Sequence, residues 1–189
     1  NDIIVIDTSN WSYQSISLNQ LPDSVAAPLR STNMLFLQED SLLFMAGGFG
    51  YDSTLNNYVT FPVLTKFNIP NTIQAVLNNY PLSNAFVQLR NQFFSVCGGE
   101  LLKLNNNYFL CFGHDFRGRY AEFAIPIFTQ TYSNSIKPFQ ITHTGNNLTI
   151  AAGTILSDTA NFHRRDLNVS NFILPDGTQC LMTFGGVFR

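Results

Sequence analysis

The stretch Leu42-Leu43-Phe44-Met45-Ala46-Gly47-Gly48-Phe49-Gly50 runs five apolar residues straight into a glycine pair. A two-residue hairpin turn favours Asn-Gly or Asp-Gly, which this is not. Two partial copies follow it in the chain, YFLCFGHDF at residues 108–116 and CLMTFGGVF at residues 180–188. Aligned on Gly47, Gly113 and Gly185, the copies lie 66 and 72 residues apart. Each is preceded by another apolar run: NMLFLQEDS, GELLKLNNN and NFILPDGT. Turn-forming residues separate the members of each pair: Gln38-Glu39-Asp40, Asn105-Asn106-Asn107 and Pro175-Asp176-Gly177. Three times the chain writes strand, tight turn, and a second strand ending in glycine.

The remainder of each interval matches as well. A polar loop follows the glycines of the first copy, then two further strand-like runs, TFPVLTKFNI and NAFVQLRNQFFSV. The second copy continues through a loop into TQTYSNSIKPFQI and NNLTIAAGTIL. Each unit therefore reads as four short strands, and the fold class expected is all-β. The one helix candidate, residues 70–79, lies between the third and fourth strands of the first unit.

A four-stranded unit whose apolar second strand enters a diglycine resembles a kelch repeat, the blade of a kelch-type β-propeller. The opening IIVIDTSNWSYQSISL is similar to the closing part of such a blade, and the segments around residues 99–140 and 163–188 resemble bacterial kelch-repeat proteins. The diglycine reads Gly47-Gly48 and Gly185-Gly186, with Gly113-His114 in the middle copy. The resemblance implies that these glycines let backbones approach closely near the propeller axis, where a Cβ would not fit. It also implies one partial propeller over residues 1–189: the end of a blade (1–20), two blades (29–94 and 97–156) and the first two strands of another (167–188). The arc of about three to four blades is short of a ring, since propellers hold ~4–8. The missing blades are expected from absent sequence or from other chains. Because the chain starts at Asn1, it reads as a mature product or a piece of something longer.

Of the 189 residues, 45% are hydrophobic and 12% charged, enough apolar material for a substantial core. A net charge of −2 gives no electrostatic case for nucleic acid. No apolar run approaches the ~20 residues of a membrane helix. Scarce charge, with Asn, Thr, Ser and Gln on the surface, is compatible with an extracellular or cell-envelope location. Cys97, Cys111 and Cys180 match no zinc spacing and, being odd in number, cannot all pair within the chain. Cys111 and Cys180 sit in apolar runs, as buried free thiols do.

Chemistry-bearing side chains gather in two places. GHDFRGRY sets His114, Asp115, Arg117 and Arg119 after a second strand, and NFHRRDLN sets His163, Arg164, Arg165 and Asp166 before a first strand. Turn alternation in an up-and-down blade brings both to one face, near the axis. Three uses compete there. Arg164 or Arg165 can lock neighbouring units through Asp115 or Glu100, the cluster can bind an anionic or sugar-like ligand, or it can carry catalysis. His114, His143 and His163 fall at no metal-ligand spacing, His143 reads as an exposed loop residue, and no cofactor is expected. The copper ligands of galactose oxidase, itself a kelch propeller, do not align onto Tyr58, Tyr108, Tyr120 or Tyr132. There is no nucleophile elbow or phosphate-binding glycine loop. Asn10, Asn147 and Asn168 sit in N-x-S/T sequons of an Asn-rich chain. Three functions follow: an extracellular binding or scaffold module for a protein or carbohydrate ligand, a carbohydrate-active or galactose-oxidase-like enzyme, and a structural subunit of an extracellular assembly.

Overall fold

Seventeen β-strands and two α-helices make up the computed structural model, which describes residues 2–119 and 127–187. The chain is all-β, and every strand pair is antiparallel. It opens with a hairpin, β1 (Asp2–Ile6) and β2 (Tyr13–Ser17). A short helix α1 (Asp23–Leu29) leads to the first full sheet. That sheet has the order β3 (Leu35–Glu39), β4 (Leu42–Ala46), β7 (Pro62–Asn68), β8 (Phe86–Ser95). Between β4 and β7 lies a hairpin of β5 (Phe49–Asp52) and β6 (Asn57–Thr60). Between β7 and β8 runs α2 (Ile69–Asn78), where the sequence placed its helix. Asn68 caps α2 by accepting the Asn71 N–H at 2.9 Å, and Asn79, at φ +53°, ends it.

The second full sheet repeats the plan: β9 (Glu100–Leu104), β10 (Asn107–Cys111), β13 (Ser135–Thr144), β14 (Asn147–Ala152), with β15 (Leu156–Ser157) also on β13. Its inserted hairpin is β11 (His114–Arg119) and β12 (Ile127–Tyr132). The chain closes with β16 (Asn168–Ile173) paired to β17 (Gln179–Phe184). Thus β4, β10 and β17 are second strands of three hairpins of one design, as the repeated motif requires.

The inserted hairpins correct one expectation. The segments after the second strands, read as loops, are strands that join through Val59 and Arg117 into a further sheet, β12-β11-β6-β5. Aromatic pairs hold it: Phe49 meets Phe116 edge-on at 5.1 Å, and Phe116 stacks on Phe128 at 5.0 Å. TQTYSNSIKPFQI is accordingly two strands, the end of β12 and most of β13. The extra hairpin lengthens each of the two full units. His143 lies within β13 rather than in a loop, although exposed. Tyr120 and Phe188 lie outside the described residues.

The main core sits between the two full sheets. Leu35, Phe44, Ala46 and Leu64 from the first pack on Leu101, Tyr108, Leu110 and Phe139 from the second. A smaller core joins the second sheet to β16–β17 through Cys111, Phe112, Leu167 and Val169. On the other side, Ile16 of β2 packs with Ala75 and Val76 of α2. The two full sheets and β16–β17 therefore stack in chain order, while β1–β2 rests on α2.

Three repeated details fix the register of the units. Thr32 bridges Phe49, Cys97 bridges His114, and Arg165 bridges Val187. The following residues, Asn33, Gly98 and Asp166, all have left-handed φ, +53°, +64° and +52°, in the residue types that tolerate it best. The Gly98 N–H donates to the Asn33 carbonyl at 3.0 Å, and the Asp166 N–H donates to the Gly98 carbonyl at 2.7 Å. Equivalent residues of successive units are thus hydrogen-bonded head to tail.

This register shifts the middle copy by one residue. Gly48, Gly113 and Gly186 correspond, with φ of +91°, +81° and +100°, so Gly47 and Gly185 correspond to Phe112. A Cβ on Gly47 would stand 1.8 Å from the Val96 carbonyl oxygen, whereas Phe112 holds φ +62° with a buried ring 5.3 Å from Phe162. A left-handed aromatic residue is strained by roughly 1–2 kcal/mol, and the buried ring offsets it.

Candidate functional site

The two polar clusters meet where the second unit adjoins the third. The Gly113 N–H donates to the Arg164 carbonyl at 2.9 Å, which lays the start of β11 beside residues 158–167. From there the side chains interlock. His163 stacks on Tyr132 with ring centroids 3.8 Å apart, and its Nδ1 lies 2.9 Å from Asn134 Oδ1. Arg165 Nε donates to the Tyr132 hydroxyl at 3.2 Å. Arg165 pairs with the carboxylate of its neighbour Asp166. Arg164 donates to the carbonyls of Asn161 (2.8 Å) and Gly185 (3.2 Å), linking this loop to the end of β17.

His114 is buried beneath this network, its ring 5.6 Å from that of Tyr132. Burial, reinforced by the Arg165 guanidinium, pushes its pKa down and favours the neutral ring. The Gln130 amide nitrogen lies 2.6 Å from Nδ1; as the donor there, it leaves the ring proton on Nε2. Asp115 Oδ2 accepts from Ser95 Oγ at 3.0 Å and pairs with Arg117 at 3.4 Å. Its Oδ1 is buried and has no hydrogen-bond partner. Glu100, on β9, is half-buried, and desolvation raises its pKa.

Arg119 stands apart from these groups. It lies at the end of β11 with its guanidinium 4.3 Å over the Tyr58 ring. Together they form part of a cleft of about 620 Å³ on the inserted sheet, shared with Tyr51, Asn56, Asn57 and Ile127. The Tyr51 hydroxyl donates to Asn56 Oδ1 at 2.7 Å, fixing the ring at the cleft wall. Sequence reasoning missed this cleft because it read residues 51–58 as loop; the Tyr51 and Tyr58 alternation against Phe49 was the available signal.

A second polar cluster also escaped notice. Glu39 of the first unit takes Lys103 and the Tyr108 hydroxyl of the second, the latter at 2.5 Å. Burial alone would raise the Glu39 pKa, but these two partners hold it below the usual range, while burial drives the Tyr108 phenol up. Charged residues within the apolar runs FLQED and ELLKL were its mark in the sequence. Burial raises the Cys97 thiol to about 11 and the Cys111 thiol to about 12, which keeps both protonated, and Cys180 is half-buried rather than buried. Among the described residues no His, Cys, Asp or Glu group is arranged to hold a metal ion, and no helix is long and apolar enough to cross a membrane.

No protein-family model matches the chain, and no curated protein is significantly similar to it in sequence.

Proposed function

We propose that this chain is an arc of a kelch-type β-propeller that works as a binding or scaffold module of the cell exterior. The observation that carries the architecture is the head-to-tail hydrogen bonding of Asn33, Gly98 and Asp166. Equivalent residues at a blade's inner edge can touch in this way when the sheets turn about a shared axis, and they separate when sheets stack in a straight row. The stacking of sheets in chain order supports the same reading.

Binding rather than catalysis fits how the polar residues are used. His163 and Arg165 are engaged in fastening the third unit to Asn134 and Tyr132 of the second, and Arg164 ties their loop to the end of β17. The surface left for a ligand is the inserted sheet, where the Tyr51 and Tyr58 rings, two Asn amides and the Arg119 guanidinium face one cleft. Flat rings with amide and guanidinium donors suit a carbohydrate, whose C–H faces stack and whose hydroxyls accept hydrogen bonds. Titration of the protein with a panel of neutral and acidic oligosaccharides tests this. Binding should weaken at least about tenfold, ~1.4 kcal/mol, in Tyr51→Ala and Arg119→Ala, with unchanged melting temperature. Chemical conversion of the bound sugar would instead favour the enzyme reading, and binding indifferent to both substitutions would refute this ligand surface.

A further inference from the structure

The polar side chains around the cleft of the inserted sheet present mostly hydrogen-bond donors. Asn57 Oδ1 accepts the Tyr58 backbone N–H at 2.8 Å, and Asn56 Oδ1 accepts the Tyr51 hydroxyl at 2.7 Å. A backbone N–H can only donate, so the Asn57 oxygen is fixed towards it and the amide NH2 is left over. The Asn56 amide is turned in the same sense. Arg119 adds a guanidinium, which has five N–H donors and no acceptor. Its contact among the described residues is the Tyr58 ring, 4.3 Å away, which attracts the cation but offers its N–H groups no oxygen. Among the described residues no carboxylate lines the cleft.

The cleft does not stop at Arg119. Asn57, Gly118 and Ile127 are shared with an adjoining cleft of about 380 Å³, which brings in Arg117 and Thr129. Two exposed guanidiniums therefore border one continuous groove. Arg117 is partly neutralised by Asp115 at 3.4 Å. Arg119, with no such carboxylate beside it among the described residues, is the stronger of the two.

We propose that the oligosaccharide this groove takes is acidic, with the carboxylate of a uronic-acid residue held by Arg119. The inference rests on the carbohydrate reading of the same cleft. A neutral sugar presents hydroxyls that donate as well as accept, and a site shaped for it answers with acceptors of its own. A carboxylate only accepts, through two oxygens in one plane, and so matches a guanidinium fork flanked by amide donors. The Tyr51 and Tyr58 rings take the C–H face of the sugar. The adjoining groove receives the next sugar of the chain, its carboxylate towards Arg117.

Calorimetric titration with paired oligouronates tests this. Oligomers of galacturonate, glucuronate and mannuronate are each compared with their own methyl esters, which keep the sugar and remove the charge. At least one acid should bind at least about tenfold more tightly than its ester. That preference should shrink as sodium chloride is raised from about 50 to about 500 mM. Arg119→Gln should bring acid and ester to within about threefold of each other, with the melting temperature unchanged because the side chain is exposed. Arg119→Lys should keep part of the preference, and Arg117→Gln should reduce it less than Arg119→Gln does. Tyr51→Ala should weaken both forms alike and leave their ratio standing. Esters that bind as tightly as the acids, or neutral glycans that bind where no uronate does, overturn the acidic assignment and leave the carbohydrate reading standing. A preference that survives Arg119→Gln overturns the role given to Arg119. If no glycan of either kind binds, both readings fall.

Discussion

The joint between the two complete sheets and the open face of the first sheet are built from corresponding positions, yet they differ completely in burial. Leu101, Tyr108 and Leu110 are sealed in the main core, while Phe36, Leu43 and Met45 line open surface or a cavity. Residue type does not cause the difference, because both sets are apolar. What differs is whether a preceding pair of inner strands lies against them. In a repeat fold each unit buries its neighbour's face rather than its own, so stability is concentrated in joints.

The largest effect expected from that contrast comes from paired truncations. Phe44→Ala, which empties a fully buried site beside Tyr108 and Phe139, should cost about 3–5 kcal/mol. Phe36→Ala, at a position 67% exposed, should stay within about 0.5 kcal/mol. Denaturant midpoints measure both. Equal costs would mean that the open face is covered after all.

Corresponding glycines give the next contrast. An added Cβ at Gly47 meets the Val96 carbonyl oxygen, while at Gly185 nothing lies within 4 Å, and both have φ near +65°. Gly185→Ala should therefore cost only the left-handed strain, about 1–2 kcal/mol, and Gly47→Ala clearly more. Thermal melts that rank them the other way would contradict the close packing of the first joint. At the third corresponding position the usual order should invert. Phe112→Gly should be less destabilising than Phe112→Ala by about 1 kcal/mol, because only the former relieves φ +62°.

The smallest effect is a pH dependence. Burial lowers the His114 pKa in the folded protein, so the unfolded chain binds its proton first. Stability should accordingly decline as pH falls through about 6.5 and level off below the folded pKa. His114→Asn should flatten that slope between pH 7.5 and 5. An unchanged slope would place the titration elsewhere.

How much of this was legible beforehand follows from where the signal lies. The second strands 42–47, 108–113 and 180–185 were readable to within a residue or two, because an apolar run ending in glycine is local. α2 was readable from Pro70 and Asn71 at its start, although the residue that caps it is Asn68. The inserted hairpins were not: their strands are short and polar on one side, and they are held by aromatic contacts between units 65 or more residues apart, such as Phe49 with Phe116. The one-residue shift at Phe112 was hidden because φ, not residue type, defines the correspondence. α1, only seven residues long, offered too few turns for a periodic pattern. Of the candidate site, His114, His163 and Arg165 stood out in the sequence by residue type, whereas Tyr132, which contacts all three, carried no signal as a lone aromatic in a polar run.

The most direct test of the account is amide hydrogen exchange at Gly98 and Asp166, whose N–H groups join equivalent residues of successive units. The account predicts that both exchange slowly, in step with global unfolding, while the exposed Gly145 in the β13–β14 turn exchanges quickly. Exchange of Gly98 and Asp166 as fast as Gly145 would show that the units are not hydrogen-bonded head to tail, and would contradict the proposed arrangement of sheets about a common axis.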